Sequence, residues 1–100
     1  MVILSASFKA KEGVLEELFE TVQGLAEKSR MEEGCLRYDF CEDVLEPGTF
    51  LFFELWRSRE ALQHHFTMPY FHAFAARIPD FAEGEPEILT YDTAGPVPAF

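Results

Sequence analysis

The residues best suited to chemistry lie close together in the sequence, between Phe50 and Phe74. This stretch holds six of the eleven phenylalanines, the only tryptophan and all three histidines. Histidine is a poor filler for an aromatic core, whereas an imidazole that titrates near neutral pH can act as a general base. We therefore expect a site near Trp56 and His65, in which His65 takes a proton from a bound molecule.

Three residues of this stretch are candidates for catalysis. Besides His65, the indole of Trp56 can stack on an aromatic ligand and donate one N–H, and the phenol of Tyr70 can donate to a ligand oxygen. We expect five further side chains to contact the substrate: Phe52, Glu54, Phe71, His72 and Phe74. His64 lies about 100° around the helix from His65 and is expected to face solvent.

Each of these roles has a structural alternative that the sequence leaves open. His65 could be hydrogen-bonded to a neighbouring strand or subunit, and Trp56 could be ordinary core packing. Glu54 shares a strand face with Trp56, so its carboxylate points into apolar surroundings, where burial raises a pKa unless donors or a cation meet it. For Glu54 the alternative is an ion pair at a subunit interface.

Other kinds of site are not indicated. The histidines lack the neighbouring cysteine or carboxylate spacing of a structural zinc site, so no metal is expected. A glycine-rich dinucleotide fingerprint does not occur, so no flavin or nicotinamide cofactor is expected through that motif, and a single histidine as a haem iron ligand stays open. Cys35 is expected to pack in the structure rather than to act as a nucleophile.

Hydrophobic periodicity predicts the elements that must position these residues. Strands are expected at 2–8, 35–42, 50–56 and 87–91, and helices at 14–30, 59–67 and 69–79. Ser58 is a candidate N-cap, and Pro69 divides the second helix into its two pieces. The order predicts an α+β fold, the ferredoxin-like βαββαβ plait, with a four-stranded antiparallel sheet and the helices on one face.

Length and composition limit the class of protein. One hundred residues make one domain, placed at residues 1–93, with a proline-rich tail at 94–100. A net charge of −10 disfavours nucleic acids and anionic membranes as partners, because both are bound through Lys and Arg. No signal peptide or membrane span is evident, and Cys35 and Cys41 are too far apart along one strand to bridge, so a cytoplasmic protein is expected.

The third predicted strand is apolar on both faces. Leu51, Phe53 and Leu55 alternate with Phe50, Phe52 and Trp56. Helices on one side can cover only one of these two sets. We expect a second copy of the chain to cover the other set, sheet to sheet, in a two-fold homodimer.

Four short motifs occur in order along the chain. A Gly-Cys pair opens the second strand, Glu-x-Trp closes the third, and a helix follows with Ala-Leu-x-x-His and then Pro-Tyr-Phe-x-x-Phe. Here these are Gly34-Cys35, Glu54 with Trp56, Ala61-Leu62 with His65, and Pro69-Tyr70-Phe71 with Phe74. Over residues 2–92 the pattern resembles the antibiotic biosynthesis monooxygenase family of small dimeric α+β barrel proteins.

The resemblance implies an enzyme that acts on a small aromatic substrate. Members include quinol or anthrone-type monooxygenases without cofactor, haem-degrading enzymes and enzymes that break down signalling molecules. Haem degradation is not expected, since that branch uses an asparagine and this chain has none. The implied function is oxidation of a hydroquinone or anthrone by dioxygen, with His65 as base and with Trp56 and Tyr70 stabilising the anion. Two alternatives stay open: a dimeric module that binds a hydrophobic ligand or serves in stress without turnover, and an isomerase of a small carbonyl compound.

Overall fold

The chain folds into four strands and three helices, and the computed structural model describes all 100 residues. In chain order the elements are β1 Val2–Ala10, α1 Leu15–Arg30, β2 Cys35–Glu42, β3 Thr49–Trp56, α2 Arg59–His65, α3 Pro69–Phe81 and β4 Ala82–Asp92. The strands pair antiparallel in the order β2-β3-β1-β4. The predicted ferredoxin-like α+β fold is confirmed.

Local sequence signals explain how the second helical segment is divided. The Ser58 hydroxyl accepts a hydrogen bond from the Ala61 backbone N–H at 3.1 Å, which satisfies one free donor of the first turn of α2. Pro69 opens α3, a position where the missing N–H would have had no partner. α2 ends at His65, slightly earlier than expected, and α3 continues to Phe81. None of the three helices has the length and hydropathy required to cross a bilayer.

β3 divides the sheet into two faces. One set of alternating side chains is buried beneath the helices: Phe50, Phe52, Glu54 and Trp56. The other set is half-buried on the outer face: Leu51, Phe53 and Leu55. These are the two predicted sets. On β4, Leu89 and Tyr91 extend the apolar outer face and are 43% and 53% exposed.

A bulge in β2 corrects one prediction about side-chain direction. Cys35 pairs with Trp56 and Arg37 pairs with Leu55, so Leu36 is an extra residue in β2. An inserted residue breaks the two-residue alternation of a strand. Strict alternation along residues 35–42 predicts that Leu36, Tyr38 and Phe40 share one face. Leu36 is instead exposed while Tyr38 is buried, so this prediction is wrong for Leu36.

β4 is longer than periodicity predicted. It begins at Ala82 rather than at residue 87 and pairs with β1 on both sides of a register shift between Ser7 and Lys9. Its first half is polar, and Gly84 has a φ of 69°, a left-handed conformation that favours glycine. Such a segment lacks the apolar alternation that marks a strand in the sequence.

Candidate active site

A cavity of about 500 Å³ lies between the sheet and α3. Eleven of its thirteen lining residues are hydrophobic. Four of the predicted substrate contacts are among the thirteen lining residues: Phe52, Glu54, Phe71 and Phe74. A largely apolar cavity of this size is typical of sites for small organic molecules.

Glu54 brings the only ionisable carboxyl group to the cavity wall. Its side chain is buried, and Oε1 accepts a hydrogen bond of 2.9 Å from Trp56 Nε1. The other oxygen has no hydrogen-bond partner in the chain and is not sealed from solvent. Burial raises the pKa of the Glu54 carboxyl to about 7, against the opposing hydrogen bond from Trp56 and with a further rise from the negative charge of Glu32. Within the chain no cation pairs with Glu54, and it lies on the face under the helices.

Trp56 lies behind the cavity wall and does not line it. The side chain is fully buried at the end of β3, and its single N–H is already donated to Glu54. Its ring lies 4.6 Å from the His65 ring, measured between centroids. Trp56 therefore contacts the carboxyl group of the site, whereas a donated bond to a ligand was expected.

His65 also lies one layer behind the wall. It is 1% exposed, and its Nδ1 is 2.6 Å from Glu32 Oε2. Three residues that line the cavity pack around its ring: Tyr38, Phe66 and Phe71. The structure thus brings the expected base next to the site, while Glu54 is the group that reaches the cavity.

Glu32 is the functional residue that the sequence analysis missed. Its side chain is 8% exposed, and Oε2 receives both His65 Nδ1 and the Tyr70 hydroxyl, each at 2.6 Å. Its other oxygen, Oε1, is buried without a partner. Glu32 lies in the turn after α1, more than 30 residues from both partners, so no local pattern identifies it. The neighbouring motif Gly34-Cys35 was the only nearby signal.

A close backbone contact explains how the turn holds Glu32 near α2. A Cβ atom placed on Gly34 would stand 2.3 Å from the Ala61 Cβ, so any larger side chain would push the turn away from α2. The Arg57 backbone N–H also donates to the Gly34 carbonyl at 2.8 Å. The glycine of the Gly34-Cys35 motif and the alanine of the Ala61-Leu62 motif are therefore in contact.

The Tyr70 hydroxyl donates a hydrogen bond to Glu32, and Tyr70 does not line the cavity. Burial, followed by the hydrogen bond to Glu32 and its negative charge, raises the pKa of the Tyr70 phenol well above its usual range. Tyr70 is therefore a neutral hydrogen-bond donor at physiological pH. Besides Glu54, Tyr38 is the only lining residue with a polar side-chain atom.

The other titratable side chains lie apart from this arrangement. His72 and His64 are exposed, and neither lines the cavity. No group of three or more His, Cys, Asp or Glu side chains converges as it would around a metal ion. Cys35 is partly buried and burial raises its thiol pKa to about 11, while Cys41 is exposed.

Comparisons with known proteins agree with the motifs. The model of a family described as antibiotic biosynthesis monooxygenase matches residues 1–77. An uncharacterized protein of Synechocystis sp. is 42% identical over 93 residues, which are 93% of this chain and 63% of that protein. The chain therefore spans less than two thirds of the length of this relative.

Solved structures share the fold over nearly the whole chain. A Deinococcus radiodurans protein named for the same family superposes with a TM-score of 0.91 at 25% identity, covering 100% of this chain and 99% of that one. A Caulobacter crescentus protein named in the same way gives 0.87 at 29% identity, covering 94% of this chain and 90% of that one. The motifs are present and the family model matches residues 1–77 of the chain. The chain therefore belongs to the antibiotic biosynthesis monooxygenase family.

Proposed function

We propose that this protein is a cofactor-independent monooxygenase that oxidises a small electron-rich hydroxyarene, of the hydroquinone or anthrone type, with dioxygen. One observation carries the proposal: the Glu54 carboxyl, with a pKa near 7, faces an apolar cavity with one oxygen free. A carboxyl with that pKa can accept a phenolic proton at neutral pH.

Glu54 takes the place of His65 as the proposed base. The His65 Nδ1 is occupied by Glu32, and the ring stands behind Tyr38 and Phe71. A base must come within about 3 Å of the proton that it removes. Of the two groups, only Glu54 lies in the cavity wall.

The proposed reaction consumes one dioxygen and releases one water. Glu54 removes the hydroxyl proton of the bound arene, and the resulting anion gives one electron to dioxygen. The arene radical and superoxide then combine, forming a C–O bond at a ring carbon that bears hydrogen, and uptake of a proton gives a hydroperoxide. Loss of water from that hydroperoxide, with the carbon losing its hydrogen, leaves a C=O group. An anthrone, bound as its enol tautomer, becomes an anthraquinone in this way, and a hydroquinone becomes a hydroxyquinone.

The surrounding residues support the proton transfer and protect the radicals. Trp56 holds the Glu54 carboxyl by its N–H, which fixes the free oxygen toward the cavity. The apolar walls offer water few hydrogen-bond partners beside the anion and the radical pair. Tyr38, which pairs with Glu54 across the sheet and also lines the cavity, is the second polar group that we propose for the oxygen of the anion.

Oxygen uptake tests this proposal. Purified, metal-free protein should consume dioxygen with anthrone or a hydroquinone, with one mole of oxygen used per mole of quinone formed. With isotopically labelled dioxygen, one labelled atom should enter the product and the other should enter water. Uptake no faster than in buffer, across the whole panel, would reject the oxygenase. Binding without uptake would instead favour a module that holds a hydrophobic ligand.

We also propose that two copies pair through the outer face of the sheet. This face has no helical cover, and its apolar side chains are half-exposed: Leu51, Phe53, Leu55, Leu89 and Tyr91. Light scattering at micromolar concentration should then give twice the 11.5 kDa mass of one chain. A cytoplasmic location is proposed as well, since both cysteines are free thiols.

A further inference from the structure

The cavity has one polar end. Pairing between the strands aligns Leu4 of β1, Tyr38 of β2 and Glu54 of β3 in one row across the sheet. The next row along the sheet contains Ala6 and Phe52, and the row after that contains Phe8. Rows on one face are about 7 Å apart, so the cavity extends roughly 13 Å from the Glu54 row to the Phe8 row.

Beyond the first row the lining offers no hydrogen-bonding side chain. The remaining residues on the sheet and on α3 are aliphatic or phenylalanine, together with Pro86 of β4: Ala6, Phe8, Phe52, Phe74, Ala75, Ile78 and Ile88. No Lys, Arg or His lines the cavity. The polar groups are therefore confined to the Glu54 row.

We propose that the ligand is an uncharged hydroxyarene with a single hydrogen-bonding head, which meets Glu54, and a hydrocarbon body directed toward Phe8. This inference rests on the proposed function and narrows it to anthrone-like or naphthol-like substrates, with two-headed hydroquinones disfavoured. A second hydroxyl opposite the first would reach the row of Ala6 and Phe52, which are 9% and 4% exposed, and would find no hydrogen-bonding side chain there.

The physical cost sets the expected selectivity. An unpaired buried hydroxyl costs enough to weaken binding by about 10-fold to 100-fold. An anionic head is excluded more strongly, because it would enter an apolar cavity with no cation while facing the Glu54 carboxyl. Naphthalene itself should bind more weakly than the naphthol, since it leaves Glu54 without a donor.

Binding can be measured without turnover through the only tryptophan. Trp56 is bonded to Glu54, so its fluorescence should respond to a ligand at the polar end. Under anaerobic conditions the titrated probes are 1-naphthol, 1,5-dihydroxynaphthalene, naphthalene and naphthalene-1-sulfonate. We expect 1-naphthol to bind about 10-fold or more tightly than the diol, and the sulfonate not to bind.

A matched variant tests the cause of the selectivity. Ala6→Ser places one hydroxyl in the second row, on a small side chain that is already in the wall. It should improve binding of the diol and reduce the preference for 1-naphthol to a few-fold. A second variant, Ser7→Ala, alters the neighbouring position on the outer face of β1 and should leave the preference unchanged.

The possible outcomes separate this inference from the proposed function. Equal or tighter binding of the diol by the wild-type protein, or no binding of 1-naphthol, would overturn the inference even if oxygen uptake is found. A preference for 1-naphthol that Ala6→Ser reduces would support it, even if no probe or anthrone is oxidised. The absence of oxidation would reject only the proposed oxygenase function.

Discussion

Two buried carboxyl groups, Glu54 and Glu32, lie on opposite sides of a pair of packed rings and differ in what meets their oxygens. Glu54 receives the Trp56 N–H, Glu32 receives His65 Nδ1, and the two rings are 4.6 Å apart. Glu54 has one donor and a free oxygen at the cavity. Glu32 has two donors on one oxygen, and its other oxygen is sealed in protein.

The difference teaches that burial alone does not identify a catalytic group. Both carboxyl groups are more than nine-tenths buried, and each is hydrogen-bonded to one ring of the packed pair, Glu54 to Trp56 and Glu32 to His65. Only Glu54 combines a pKa near 7 with access to a space that a substrate can enter. In this comparison Glu54 is a candidate base, and Glu32 is a residue that holds His65 and Tyr70 in place.

The largest expected effect is on turnover. Glu54→Gln keeps the shape of the side chain and removes its ability to accept a proton, so oxygen uptake with anthrone should fall by about 100-fold or more. Glu87→Gln, which removes an exposed carboxyl from β4, serves as the control and should keep the wild-type rate. Full activity in Glu54→Gln would remove Glu54 from the mechanism.

The next effect concerns stability. His65→Ala leaves the buried Glu32 carboxyl with one donor fewer and opens a hole beside Trp56, so the free energy of unfolding should fall by about 3–5 kcal/mol. Urea denaturation measures the loss. His64→Ala, one position away and exposed, should change it by less than about 0.5 kcal/mol. Similar losses in the two variants would show that the pair with Glu32 contributes little.

A third effect depends on pH. The Glu54 carboxyl has a pKa of about 7 in the folded chain against an ordinary value of 4.5, so the folded state binds more protons between these values. The contribution of Glu54 to the free energy of unfolding should therefore fall as pH rises through that window, by about 3 kcal/mol in total. Glu54→Gln should match the wild type near pH 4.5 and become the more stable protein above pH 7. A difference that does not change with pH would contradict the raised pKa.

The smallest effect separates charge from hydrogen bonding at Glu32. Because the negative charge of Glu32 raises the pKa of Glu54, Glu32→Gln should move the midpoint of the pH–rate profile to lower pH. Tyr70→Phe removes a donor from the same oxygen but keeps the charge, and it should leave the midpoint in place. Glu33→Gln, an exposed neighbour, is the charge control. A midpoint that stays constant in Glu32→Gln would mean that the two carboxyl groups do not interact.

Periodicity was sufficient for the fold. Alternation along β3 separated the two faces, and the order of strands and helices predicted the ferredoxin-like plait, which the structure confirms. The motifs from Gly34 to Phe74 indicated the family, which the comparisons confirm. The bulge at Leu36 could not be predicted, because an extra residue in a strand leaves no compositional mark.

The site was harder to predict than the fold. Four residues of the aromatic stretch that were expected to contact a substrate lie in the wall of the cavity: Phe52, Glu54, Phe71 and Phe74. Side-chain depth could not be read from residue type, so His65 and Trp56 were expected in the cavity but lie behind it. Glu32 was missed because its partners come from distant segments that only the folded chain brings together.

The two thiols of β2 differ in a way that is useful for labelling. Cys35 lies beside the buried end of β3, with a pKa that keeps it protonated at neutral pH, whereas Cys41 is exposed. Only the thiolate reacts with maleimides and iodoacetamides, so a short treatment near pH 7 should modify Cys41 alone. Because Cys41 pairs with Leu51 at the outer face, its rate of labelling should fall at protein concentrations where two copies pair.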